Sequence, residues 1–191
     1  GLRWYALSFM VPNGWKESSA PFVLAQVHAA QKNTALPPPL SIVLRNKQLN
    51  LVLHRTNFDV YESGTAMTVN DLSVVTIPMG SLRLNTWECV VVRANWSSVI
   101  NVGNLDVWST MSHLYSEKDS HNTYPSHLGN YAKIGIYAPW KVDAPVRKVY
   151  SDFVWIGNAN ASYELMYQKT PCAFAGSPPM PPEIIYTEDN K

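Results

Sequence analysis

The sequence predicts an all-β chain folded as a β-jelly-roll sandwich with one concave face. Three observations carry this expectation. Short runs rich in Val, Ile, Leu, Tyr and Trp recur along the chain, punctuated by Pro, Asn and Gly. No long helical periodicity separates them, which favours antiparallel sheets over an alternating helix–strand fold. Several runs also alternate an apolar side with a mixed polar and aromatic side.

The runs predict nine strands. The first is "RWYALSFMV" at 3–11, followed by "PFVLAQVH" at 21–28. "LSIVL" at 40–44 and "LNLVLHR" at 49–55 follow closely, and "SVVTI" lies at 73–77. "TWECVVVRAN" at 86–95 and "NLDVWS" at 104–109 come next. "YAKIGIY" at 131–137 and "VYSDFVWIG" at 149–157 close the set. Ala132, Ile134 and Ile136 make one face of "YAKIGIY", and Tyr131, Lys133, Gly135 and Tyr137 the other. Leu49, Leu51, Leu53 and Arg55 oppose Asn50, Val52 and His54. Strict alternation would also put Phe22, Leu24, Gln26 and His28 on one face. Apolar faces of this kind build a core, and the polar-aromatic faces suit the concave side of a curved sheet.

The connections at 57–70 and 111–130 read as loops. The second is polar and holds three of the five His, the composition of a rim or lid. Residues 1–169 read as one domain, and 170–191, with "SPPMPPEIIY", as a Pro-rich extension or linker.

Bulk composition excludes several functions. The chain of 191 residues carries a net charge of +1, so no overall field directs it to nucleic acid or anionic lipid. No apolar run is long enough for a membrane-spanning helix. Cys89 and Cys172 are too few for a disulfide framework. A buried free thiol is the expectation for Cys89, with a Cys89–Cys172 bridge as the alternative. Two N-x-[ST] sequons occur, at Asn95 and Asn160.

No nucleophile elbow, zinc-protease helix or phosphate-binding loop occurs, and no strand face carries the paired carboxylates of a glycosidase. What remains is a set of amide, imidazole, phenol and cation: Gln26, His28, Arg45, His54, Tyr131, Lys133 and Tyr137. Cleavage of a uronic-acid polysaccharide by β-elimination needs that chemistry. The uronate carboxylate must be neutralised, a base must take the C5 proton, and an acid must protonate the leaving oxygen.

At these residues the chain resembles the jelly-roll polysaccharide lyases, the group that includes heparin, glucuronan and alginate lyases. "AQVHAA" is similar to their Gln-x-His strand, and "YAKIGIYAPW" to their Tyr-Phe-Lys-x-Gly-x-Tyr strand. "PPPLSIVLRNKQLNLVLHR", "LNTWECVVVRANWS" with "GNLDVW", and "VYSDFVWIGNA" resemble further strands of that group, in the same order. The resemblance implies a concanavalin-like jelly roll whose groove binds an anionic polysaccharide. It implies that Gln26 neutralises the carboxylate, that His28 serves as base or neutraliser, and that Tyr137 serves as acid and often as base. It implies substrate contact by Lys133. Arg45, His54, Tyr131 and Trp140 are the further substrate-binding candidates, with Tyr124 a second aromatic for stacking on sugar.

The chain departs from the pattern in three places. The Arg-bearing strand that precedes Gln-x-His in relatives is absent, Ala132 replaces the usual Phe, and Ala138–Pro139 follow Tyr137. An N-terminal segment or another domain is the expected source of such an Arg. The chemistry requires no cofactor or metal. Asp71 and Asp152 are the candidates for a structural Ca²⁺. A secreted enzyme is the leading expectation. A non-catalytic carbohydrate- or receptor-binding module of a secreted or viral tail protein is the alternative, and a structural jelly roll in a capsid or fibre is the third.

Overall fold

The computed structural model describes residues 1–30, 36–56, 67–110, 112–124, 129–138 and 146–174. Eleven strands and one short helix are described: β1 (Leu2–Met10), β2 (Phe22–Ala29), β3 (Leu40–Arg45), β4 (Gln48–Thr56), β5 (Leu72–Ser81), β6 (Trp87–Asn95), β7 (Gly103–Ser109), β8 (Ser112–Ser120), β9 (Asn130–Tyr137), β10 (Tyr150–Ser151), β11 (Trp155–Gly157) and α1 (Tyr163–Tyr167). They form two antiparallel sheets. One runs β10-β1-β6-β7-β8, with β11 also paired to β1, and the other β5-β4-β3-β2-β9. Among the described residues no helix is long and apolar enough to cross a membrane.

The core lies between the sheets, as two facing pleated surfaces require. Tyr5, Leu7, Phe9, Val90, Val92, Leu105 and Val107 come from one sheet, and Leu24, Val27, Ile42, Leu44, Leu51 and Leu53 from the other. Strands β1 and β6 are apolar on both faces because both are covered. Trp4, Ala6 and Val91 on their outer side pack against Met166 of α1. The β3–β4 hairpin turns through Asn46 and Lys47, both at positive φ, the backbone of a tight two-residue hairpin.

Four sequence expectations need correction. First, Cys89 is not a free thiol: Cys89 and Cys172 form a disulfide. The two residues meet because the segment after α1 packs on the outer side of β6, and sequence spacing carries no sign of that. Second, β2 does not keep one parity. A bulge between Val23 and Ala25 shifts its register against β3. Phe22, Leu24, Ala25 and Val27 all enter the core, so Gln26 and His28 face away from Phe22. Third, the region 111–130 is not all loop. Ser112–Ser120 is an edge strand whose outward side is solvated, which is why it reads as polar. Fourth, the closing strand at 149–157 is two short strands, β10 and β11, both on β1.

Thr170 and Pro171 are buried, so packing continues through the disulfide at Cys172.

Candidate active site

The outer face of the second sheet holds a cleft of about 940 Å³. Its walls include Val23, Gln26 and His28 of β2, Ser41 and Val43 of β3, Val52 and His54 of β4, Lys133 and Tyr137 of β9, and Pro37 and Pro38. Five of the residues singled out in the sequence therefore share one cavity: Gln26, His28, His54, Lys133 and Tyr137.

Register orders them. Lys133, Gln26, Ser41 and Val52 lie opposite one another across β9, β2, β3 and β4, so they form one row. Tyr131 lies opposite His28 on one side of that row, and Tyr137 lies opposite Val23 on the other. The bulge allows this, because it brings Val23 and Gln26 onto the same face although they are three residues apart. Gly135, at φ +136°, sits in the matching irregularity of β9, where a side chain would be strained. His28 and Val23 are five positions apart along β2. At about 3.3 Å per residue of regular strand, that is at most roughly 16 Å between the His28 and Tyr137 positions, shortened by the bulge, before their side chains reach inward. The Gln26–Lys133 row thus lies between the imidazole and the phenol.

The histidines are oriented by backbone. His28 Nδ1 donates to the Ala29 carbonyl at 2.8 Å, and His54 Nδ1 to the Pro38 carbonyl at 3.0 Å. A carbonyl oxygen only accepts, so Nδ1 carries a proton in both rings, and Nε2 is the free nitrogen. Burial pushes the His54 pKa below the ordinary histidine value, against a smaller upward effect of the Pro38 bond. His54 is therefore neutral near pH 7 and presents a lone pair. It suits a sugar hydroxyl as donor and does not neutralise a carboxylate.

Lys133 supplies the permanent cation of the described lining. Its Nζ stands 5.0 Å from the Tyr131 ring centre, and His28 stacks on that ring at 5.7 Å. Tyr131 thus buttresses both residues while remaining 41% exposed. Gln26 is only 8% exposed, and Tyr137 is 56% exposed, ready to meet a ligand.

Other candidates fall elsewhere. Arg45 lies at the end of β3 outside the described cleft lining, with Nε on the Ser19 carbonyl. Tyr124 is a core residue, 1% exposed, with its hydroxyl on the Pro37 carbonyl, so it offers no face to a sugar. Trp140 lies outside the described residues. Among the described residues no group of three or more His, Cys, Asp or Glu is placed to hold a metal. The Asp71 carboxylate instead accepts from the Thr68 N–H and hydroxyl. Ser41, Val43, Val52 and the two prolines were not candidates from sequence. Pairing of Ser41 with Gln26 is the signal that finds the hydroxyl, and it exists only once register is known.

In this two-sheet jelly roll an amide, two imidazoles, an ammonium and a phenol stand among apolar residues in one cleft. Residues 2–154 match the polysaccharide lyase family, and the chain belongs to that family. Solved structures share the fold. The endo-β-1,4-glucuronan lyase of the fungus Trichoderma reesei superposes with a TM-score of 0.64 at 20% identity, covering 83% of this chain and 68% of that one. The alginate lyase AlyC3 gives 0.58 at 12%, covering 82% and 64%. The alginate lyase A1-II', a member of polysaccharide lyase family 7, gives 0.56 at 16%, covering 84% and 63%. The chain thus spans about two thirds of the length of these structures. No curated protein sequence gives a significant match.

Proposed function

We propose that this chain cleaves a uronic-acid-containing anionic polysaccharide by β-elimination. The observation that carries the reading is the row of Gln26 and Lys133, flanked in one cleft by His28 and Tyr137. Lys133 and the Gln26 amide hold the uronate carboxylate, by charge and by hydrogen bond, and stabilise the negative charge that spreads onto it. His28 takes the C5 proton at Nε2. The C5–H electron pair becomes the C4–C5 double bond, the C4–O bond breaks, and the Tyr137 hydroxyl protonates the departing oxygen. The products are an unsaturated uronate and a new chain end, and the protein resets by returning the proton from His28 to Tyr137 through solvent. His54 accepts a sugar hydroxyl and fixes the ring.

The test is ultraviolet absorbance of the unsaturated product on glucuronan, alginate, heparin and bacterial capsular polysaccharides. Activity on at least one is expected. A folded protein inactive on all of them refutes the reading. One observation favours a second reading, a carbohydrate-binding module: no Arg is found in the described lining. That reading expects retention on an anionic polysaccharide with no unsaturated product formed.

A further inference from the structure

We propose that Asn160 is an N-glycosylation site and that Asn95, the other sequon, is not. The inference is independent of the cleft chemistry. Both motifs fit the acceptor pattern, Asn95-Trp96-Ser97 and Asn160-Ala161-Ser162. Their surroundings differ.

Asn95 ends β6, paired with Leu2 of β1 on one side and Asn104 of β7 on the other. Its amide nitrogen donates to the Val102 carbonyl at 2.8 Å. Trp96, the middle residue of that sequon, packs on Tyr5 with its Nε1–H on the tyrosine hydroxyl. A sugar on Asn95 would displace bonds that close the end of the sheet.

Asn160 is exposed, in a tight turn between β11 and α1. Asn158 makes the turn: Asn160 N–H donates to the Asn158 side-chain oxygen at 2.9 Å, and Ala161 N–H to the Asn158 carbonyl at 3.1 Å. Ser162 caps α1 by accepting from Leu165 N–H. The turn therefore stands without the Asn160 side chain. The Cys89–Cys172 disulfide is a second, independent observation, because such bonds form and persist in oxidising compartments, where this modification also occurs. Trp155, Ile156 and Leu165, within five residues of the sequon, are 39%, 61% and 48% exposed, an apolar flank that a core glycan can cover. α1 packs on the outer face of the first sheet, and the cleft is on the outer face of the second, so the glycan leaves the cleft open.

In the transfer, the Asn160 amide nitrogen bonds to the anomeric carbon of a lipid-diphosphate-linked oligosaccharide. The bond from that carbon to the diphosphate breaks, and an amide proton is lost to base. The experiment is secretion of the chain from a yeast host behind a cleavable leader, with intact mass measured before and after peptide N-glycosidase. Wild type and Asn95→Gln should lose the mass of one glycan, with Asn160 recovered as Asp in its peptide. Asn160→Gln should show no loss, while keeping the disulfide and any cleavage activity. A secreted, disulfide-closed wild type without glycan overturns the proposal, as does a glycan retained in Asn160→Gln.

Discussion

His28 and His54 each donate from Nδ1 to a backbone carbonyl, and both line the cleft. Burial lowers the His54 pKa, so its protonation favours the unfolded chain. Its contribution to stability is present above the unfolded histidine pKa, about 6.5. That contribution is lost as pH falls through this value toward the lower folded one. We expect the denaturation midpoint to fall across that interval and His54→Gln to flatten the fall, measured by urea titration at a series of pH values. An unchanged slope in the variant would remove His54 as the titrating group. Gln26, His28, Lys133 and Tyr137 were legible in the sequence because each interrupts an otherwise apolar strand. Ser41 and Val52 were not, since a serine or valine in a strand is ordinary until pairing places it beside Gln26. Tyr124 misled for the opposite reason: an aromatic in a polar stretch reads as exposed, and here it is buried with its hydroxyl satisfied.

Elements were legible where their two faces differ. β3 and β4 alternate cleanly and lie where the sequence puts them, whereas the irregularity at Gly135 takes Ile136 of β9 off the core face of Ala132 and Ile134 and leaves it 38% exposed in the cleft lining. β2 looks equally regular, but its bulge reverses the facing of Gln26 and His28, and no residue in "FVLAQVH" announces it. β8 was missed because an edge strand buries only part of one face. Its pairing is nonetheless tight at the start of β7: a Cβ on Gly103 would collide with the Ser120 carbonyl oxygen. Gly103→Ala should therefore cost about 2 kcal/mol or more, read by denaturant unfolding, since the strands must part to admit a methyl group. The disulfide joins residues 83 apart in sequence. Replacing both Cys89 and Cys172 by Ala should cost about 2–5 kcal/mol, mostly through a freer unfolded chain. A loss below 0.5 kcal/mol, roughly the scale of surface substitutions, would show that the bond constrains little.

The molecule is two sheets that must stay registered for the cleft to keep its shape. Arg55 of β4 pairs with Glu117 of β8, and Arg55 Nη2 donates to the Tyr115 hydroxyl at 2.6 Å, so a polar link joins the sheets at one margin. Side-chain exposures of 19% and 11% leave the pair mostly shielded from water. Glu117→Ala should then cost about 3 kcal/mol, because it leaves a guanidinium shielded without its partner. Changing both residues to Leu should cost less than the single change. At this scale the jelly roll and the lyase resemblance were legible in the sequence. The clamp of the C-terminal segment onto β6 was not, because it depends on how a Cys with no distinguishing neighbours packs. The central claim is that His28 and Tyr137 flank a uronate held by Gln26 and Lys133. The most direct measurement is the rate of unsaturated-uronate formation by wild type and Tyr137→Phe on whichever polysaccharide the wild type cleaves. The rate should fall by about 10²–10⁴-fold, the range for losing one general acid, with the unfolding midpoint unchanged. Full activity in Tyr137→Phe would contradict the account.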